Sequence, residues 1–343
     1  MKKFLNTLFV TTQGAYLRKE GECVVVSVEK QTRLRVPIHT LGGIMTFGNV
    51  LCSPFLLAHC AANGVHVSFL SENGRFLART QGAVTGNVLL RREQYRRAED
   101  AAAALSVARC CVLAKAANSR AVLQRAARDH AGKEQTAGLD TAVLRLGRIV
   151  EKIRNCPAMD ELRGMEGDAA REYFGMFNGL VTAQREDFPF QERNRRPPTD
   201  RLNALLSFVY TLLAHDCTGA LEAVGLDPQL GFLHRPRPGR PSLALDLMEE
   251  FRSFFADRLV LSLVNLRQVQ ASCFRETESG AVQMDDDARK AVLLAYQKRK
   301  QEEIRHPFLN ESMPLGLVFH AQALLLARHL RGDLDGYPAF IWK

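Results

Sequence analysis

Near its start this chain gathers apolar residues into short runs between polar turn positions; further on their spacing lengthens. Up to about residue 83, β-branched or aromatic runs at residues 4–10, 23–28, 32–37, 65–70 and 76–80 predict strands, punctuated by Gly, Asn and Ser. Turns are signalled at Gly21, Gly42-Gly43, Gly48-Asn49, Asn63-Gly64 and Asn73-Gly74, and residues 54–62 read as one short helix. After residues 82–87 the apolar positions recur at helical spacing. Helices are expected over residues 88–118, 121–130, 139–155, 168–181, 200–224, 243–266, 285–305 and 315–330. The fold class is therefore α+β: a small N-terminal β-domain of residues 1–83, then a larger all-α domain of residues 84–343.

Composition narrows the partners. Across 343 residues, 46 Lys and Arg against 37 acids leave a net charge of +9, which favours an anionic partner such as nucleic acid over acidic proteins or neutral metabolites. The β-domain carries nine basic residues, four glutamates and no aspartate, so an acid-ligated metal centre belongs in the helical part. What the β-domain offers is strand edges and a basic face, suited to subunit pairing, partner docking or phosphate contact. Eight scattered cysteines without C-x-x-C spacing point to a reducing cytoplasm. The Met1-Lys2-Lys3-Phe4 start resembles that of a signal peptide, but Gln13, Arg18, Lys19 and Glu20 arrive before a long apolar core. No segment reaches about 18 uninterrupted apolar residues, so no membrane is expected either. The chain has no phosphate-loop, dinucleotide, G-x-S-x-G or H-E-x-x-H motif, which removes the main support for ATP use and protease chemistry.

The stretch Gly164-Met165-Glu166-Gly167-Asp168-Ala169-Ala170-Arg171 sets a carboxylate among small residues at what reads as the head of a helix. Small neighbours let other backbone approach, so Glu166 is expected to be enclosed, and an enclosed carboxylate needs a positive partner such as a metal ion. Downstream, His234 precedes Asp246 and Glu249, which are three residues apart and hence neighbours on a helix. Leu243, Leu247, Met248, Phe251, Phe254 and Phe255 leave those acids only a narrow strip to emerge on. Pro236, Pro238 and Pro241 stiffen the loop between His234 and that helix. Thr199 or Asp200 can cap the helix that carries Asn203, Ser207 and Tyr210. Basic clusters at Arg193, Arg195 and Arg196 and at Arg235, Arg237 and Arg240 flank the proposed site. Such clusters are commonly solvated faces, but a nuclease must also hold phosphates near its metal. The apolar end, Tyr337 to Trp342, reads as a tail packed on a partner or on the fold.

Four motifs, in order, carry a resemblance: Glu166-Gly-x-Ala-Ala-Arg-x-Tyr-Phe174; Arg196-Pro-Pro-Thr-Asp200 leading into Asn203-Ala-Leu-Leu-Ser207; Gly231-x-Leu-His234; and Ser242-Leu-Ala-x-Asp-Leu-Met-Glu249. Together they resemble the CRISPR adaptation integrase family, the universal endonuclease subunit of spacer acquisition, and the likeness extends over nearly the whole chain. The fit is nearest to the subtype I-C branch. The resemblance implies a metal-dependent DNA endonuclease and integrase, with Mg²⁺ or Mn²⁺ held by Glu166, His234 and Glu249. The family commonly has aspartate where this chain has Glu249, and Asp246 is left as a ligand or as a group orienting His234. The implied attacker is the 3′-OH of a captured double-stranded fragment, and the target is a CRISPR repeat. Arg193, Arg195, Arg196, Asn203, Ser207, Tyr210, Arg235, Arg237 and Arg240 are the DNA-contact candidates. A homodimer and a small ferredoxin-like companion subunit are also implied. Two other readings stay open: a non-catalytic architectural DNA-binding protein, and a branched-DNA repair nuclease.

Overall fold

The computed structural model describes residues 5–80, 82, 88–129 and 138–342. The expected boundary at residues 83 and 84, the start of the run at residues 4–10 and the end of the helix at residues 121–130 lie outside those residues. Two compact units form: Met1–Gly86 with Leu293–Ile304 and Met313–Val318, and Asn87–Val292 with Arg305–Ser312 and Phe319–Lys343.

The first unit contains β1 (Thr7–Val10), β2 (Tyr16–Glu20), β3 (Cys23–Val28), β4 (Gln31–Pro37), β5 (Gly43–Phe47), β6 (Leu51–Cys52), α1 (Pro54–Ala62), β7 (His66–Leu70) and β8 (Phe76–Thr80). One sheet runs β1-β5-β7-β8, with the first three strands parallel and β8 antiparallel; the other runs β4-β3-β2-β6. Val24, Val26, Leu17, Ile44, Leu56 and Val67 lie in the shared core. β3 turns into β4 through Glu29 and Lys30, both at positive φ, as the twist of a two-residue hairpin demands. Ser53 caps α1 by accepting from the Leu56 N–H at 3.2 Å, and Pro54 starts the helix with no N–H to leave unpaired.

Among β1–β8, three strands differ from expectation. β5 is buried along its whole length, so its residues do not alternate, and its leading glycine reads as a turn. β2 is masked by Arg18, Lys19 and Glu20, and β6 is two residues long.

The second unit is mainly helical: α2 (Val88–Glu99), α3 (Ala101–Asp129), α4 (Leu139–Arg154), α5 (Met159–Gly175), α6 (Arg201–Ala223), α7 (Ser242–Met248) and α8 (Arg258–Asn265) precede α9 (Asp286–Gln301) and α10 (Leu315–Arg331), which continue beyond it. It is not wholly α, because β9 (Phe274–Glu276) pairs antiparallel with β10 (Val282–Met284); β11 (Glu303–Arg305), which pairs with β12 (Ser312–Pro314), falls largely among the residues of the first unit. The helix expected over residues 88–118 breaks at Asp100, whose Oδ1 accepts from the Ala102 and Ala103 N–H groups at 2.9 Å each and so starts a new helix. α3 then runs without interruption to Asp129.

Two further corrections bear on the site. α5 begins at Met159, not residue 168, so Glu166 stands within the helix rather than at its head. A Cβ added at Gly164 or Gly167 would meet nothing within 4 Å, so these glycines face open space and admit no close backbone. The helix expected over residues 243–266 is also interrupted: α7 ends at Met248, and a wide π-type turn, Arg252–Asp257, leads into α8.

Candidate active site

Each proposed ligand comes from a different element. α5 supplies Glu166, the loop before α7 supplies His234, and the residue closing α7 supplies Glu249. α3 adds Lys115, which the sequence reading did not single out: a lone lysine in an alanine-rich helix carries no motif.

Asp246 organises the loop. It is fully buried, and its carboxylate accepts four hydrogen bonds: Oδ2 from the N–H of Phe232 at 2.6 Å and of Leu233 at 3.0 Å, and Oδ1 from the His234 N–H at 3.0 Å and the His234 Nδ1 at 2.6 Å. A carboxylate so surrounded is well solvated by donors despite its burial. Because an ionised carboxylate can only accept, Nδ1 is the donor, and the Nε2 lone pair is left pointing elsewhere. Nε2 stands 3.8 Å from Glu249 Oε1. Gly231 allows this packing: a Cβ there would lie 2.6 Å from Asp246 Oδ2 and 2.8 Å from the Ser242 carbonyl carbon. From α5, Arg163 donates to the Leu233 carbonyl through Nη2 at 3.0 Å, which fixes the same loop against the helix of Glu166.

Glu249 is 1% exposed and surrounded by positive groups: Arg252 Nη1 is 2.9 Å from Oε1, and Lys115 Nζ is 2.9 Å from Oε2. Burial by itself would raise its pKa, but the charges of Arg252 and Lys115 outweigh that and hold it at about 2. The Lys115 ammonium also contacts Glu166 Oε1, and thus bridges the two glutamates. The Glu249 Oε2 contact is ionic only; that buried oxygen lacks a hydrogen bond of proper geometry. Among the described residues no three acid, His or Cys side chains converge as a ready cation cage. Two carboxylates drawn together on a cation, beside an imidazole with a free Nε2, nevertheless suit a divalent ion in their chemistry.

Beside the glutamates opens a cleft with about 420 Å³ of empty space, part of it open solvent, walled by Lys115, Glu166, Arg195, Tyr210, Arg252 and Asp257 among others. Tyr210 donates to Asp257 at 2.7 Å, and the guanidinium groups of Arg193 and Arg252 lie over its ring at 5.2 and 5.4 Å. Burial pushes the Asp257 carboxyl up to about 6, against the pull of its tyrosine partners and of Arg193 and Arg252.

The remaining sequence candidates divide by exposure. Arg195, Arg196, Arg235 and Arg237 are exposed, and Arg240 is half-buried. Arg193 is held inward, donating to Asn203 Oδ1 at 2.6 Å and Ser207 Oγ at 3.1 Å. Asn203 itself is fully buried, its amide nitrogen donating to the Glu192 carbonyl at 2.8 Å and to Asp200 Oδ2 at 2.5 Å, so it positions Arg193 and has no face for DNA. Asp200 is the cap of α6, its Oδ1 accepting from the Asn203 N–H at 2.7 Å. The apolar tail packs on its own fold: Tyr337 Oη and the Phe340 N–H donate to the Glu250 carboxylate at 2.5 and 2.6 Å.

This fold, a β-sheet region followed by a mainly helical part, is that of solved Cas1 structures. A Cas1 protein from Thermotoga maritima superposes with a TM-score of 0.81 at 23% identity, covering 95% of this chain and 97% of that one. A casposase bound to integration product superposes with a TM-score of 0.84 at 22% identity over 98% and 94% of the two chains. The profile described as "CRISPR associated protein Cas1" matches residues 8–298. The chain is also 55% identical, over the full length of both proteins, to the CRISPR-associated endonuclease Cas1 1 of Chlorobaculum tepidum. The protein belongs to the Cas1 family.

Proposed function

We propose that Glu166, His234 and Glu249 hold the divalent ion of this Cas1 endonuclease and integrase, and that Asp246 acts by orienting His234. As a member of its family the protein is a nuclease that inserts foreign DNA fragments into a CRISPR array. The observation that carries the site assignment is the convergence of two glutamates from separate elements on one cation, next to an imidazole whose Nδ1 is fixed by a buried carboxylate.

A bound Mg²⁺ or Mn²⁺ supplies Lewis-acid polarisation of a phosphodiester and a lowered pKa for the attacking hydroxyl. The protein's own groups do the rest. Asp246 holds the imidazole in the tautomer that presents Nε2. Arg195 and Arg252 line the cleft with positive charge for a phosphate, while Tyr210, clamped between two guanidinium groups and Asp257, gives that wall a fixed shape. A 3′-OH of a captured double-stranded fragment attacks the phosphorus at the repeat; one P–O bond forms, and the bond to the departing 3′-oxygen breaks. Water in the same position gives strand cleavage. The exposed Arg196, Arg235 and Arg237 and the half-buried Arg240 extend the contact to the DNA backbone.

The dimer and a small ferredoxin-like companion subunit belong to the same proposal, with the β-unit as the pairing and docking part. Support comes from Leu34, Leu51 and Phe55, apolar side chains 43%, 63% and 80% exposed on that unit. Assignment to the subtype I-C branch rests on the motif resemblance.

The test is the joining of labelled short duplex DNA to an array plasmid, with the companion subunit and Mn²⁺. The parent joins in a metal-dependent way, and Glu166→Ala, His234→Ala and Glu249→Ala each abolish joining. Joining at the parent rate in any of the three removes that residue from the site. Equal reaction on plasmids with and without the array turns the reading toward a branched-DNA nuclease.

A further inference from the structure

Lys115 has no part in the chemistry described so far, yet it stands at the centre of the site. Its side chain, 10% exposed, reaches from α3 to both proposed glutamate ligands, contacting Glu166 Oε1 and lying 2.9 Å from Glu249 Oε2. Two carboxylates brought this close repel each other unless a cation lies between them, and an ammonium is a compact point charge on a flexible four-carbon stem. The other cation at the site differs on both counts. Arg252 is three residues from Glu249 on the same segment and takes Oε1, the oxygen 3.8 Å from His234 Nε2, leaving Oε2 to Lys115. An ion seated between the two glutamates would need the place that Lys115 Nζ holds. The lysine has somewhere to go: it also lines the cleft that Ser119, Arg195 and Tyr210 wall.

We propose that the Lys115 ammonium is a tethered counter-ion that fills the seat between Glu166 and Glu249 when the divalent ion is absent and withdraws into the cleft when the ion binds. This rests on the metal reading above. It makes Lys115 a positioning residue that keeps the metal-free ligands together and sets the threshold for loading. Once released, its charge joins Arg195 and Arg252 on the wall that meets a phosphate, so loading with metal also raises the attraction for DNA.

The test compares Mn²⁺ binding to the full chain, by titration calorimetry, in the parent, Lys115→Met, Glu166→Ala and His234→Ala. Lys115→Met keeps the length of the stem and removes the competing charge. It is expected to bind Mn²⁺ at least about tenfold more tightly than the parent, equivalent to about 1.4 kcal/mol. Its melting temperature without metal falls below the parent's, and saturating Mn²⁺ closes that gap. Equal or weaker Mn²⁺ affinity in folded Lys115→Met overturns the proposal, since a merely structural ion pair would lower stability without tightening the metal. A readout on the parent needs no variant: reductive methylation of Lys115, followed by peptide mass spectrometry, accelerates several-fold with saturating Mn²⁺ while other lysines stay unchanged. Constant labelling of Lys115 also overturns it. Parent binding that Glu166→Ala and His234→Ala leave intact refutes the metal reading instead, and the counter-ion role falls with it.

Discussion

Replacing Asp246 with Asn is nearly isosteric, and its effect follows from counting donors. The carboxylate accepts three backbone N–H groups and the imidazole Nδ1, at 2.6 to 3.0 Å, with no exposure to water. An amide oxygen can serve two of these donors, whereas the NH₂ group turns toward the other two as a further donor. Each buried donor left without an acceptor costs about 1–3 kcal/mol, so the change is expected to destabilise the helical unit by about 4 kcal/mol. At roughly 2–4 °C per kcal/mol for a unit of this size, the melting temperature falls by about 10 °C. Loosening of His234 is expected to weaken Mn²⁺ binding by about 10- to 100-fold, the range for lost partners of metal-bound histidine. Denaturant melts give the stability, and calorimetric titration gives the affinity, for Asp246→Asn, His234→Ala and the double variant. If Asp246 works through His234, the double variant binds Mn²⁺ no worse than His234→Ala. Additive losses would make Asp246 a ligand in its own right. Stability within about 0.5 kcal/mol of the parent together with unchanged affinity would refute the reasoning altogether.

Gly231→Ala drives a Cβ into Asp246 Oδ2 and the backbone at Ser242, neither of which can swing aside; a loss of about 1–3 kcal/mol in denaturant melts and a large fall in DNA joining are expected. Asp257 has a folded pKa of about 6, raised above its ordinary 3.8, so burial favours its neutral form. The stability it contributes is full below pH 3.8 and is lost as pH rises through 6. Between pH 4.5 and 8 the parent is therefore expected to lose about 2 kcal/mol relative to Asp257→Asn, and parallel stability curves would contradict this. Asn203→Ala removes the acceptor that holds Arg193 and the Asn194 N–H. Duplex DNA affinity, read by fluorescence anisotropy, is expected to drop several-fold, and unchanged affinity would detach Arg193 from DNA binding.

The elements that were legible in the sequence are those with strong local signals. α1, β3, α4, α6 and α10 appear within a residue or two of expectation, because the period is regular there and, at α1 and α6, Ser53 and Asp200 cap the start. The same local logic misread the glycines around Glu166. As a pattern they suit a helix start that admits neighbouring backbone, whereas the helix begins a full two turns earlier and its glycines face outward. Periodicity cannot place a helix start when no strong cap marks it, and Ala158 at that position makes no side-chain cap. Lys115 was illegible for a different reason. Its meaning comes from two acids brought to it by α5 and α7, distant in sequence, and nothing in the local pattern around it records that meeting. The acids were expected on a narrow exposed strip; instead Asp246, Glu249 and Glu250 are all buried, because loop N–H groups, cations and the C-terminal tail supply the partners that water would otherwise supply.

The interruption after Met248 explains how one segment can carry so many buried acids. At about 100° per residue, an unbroken helix from residue 246 to 257 would bring Asp246, Glu250 and Asp257 to within about 40° of one another on a single face. Three buried carboxylates sharing one face would raise the cost of ionising each of them. The break at residues 249–251 and the wide turn at Arg252–Asp257 send them to separate partners: Asp246 to the His234 loop, Glu250 to the C-terminal tail, Asp257 to Tyr210. Glu249, at the break itself, is left to face Lys115, Arg252 and the imidazole. Wide turns of this kind are costly in a regular helix and occur disproportionately at functional sites. Here the distortion does electrostatic work, since it divides a run of acids that would oppose one another and leaves a single carboxylate of that segment, Glu249, facing the cations across from Glu166.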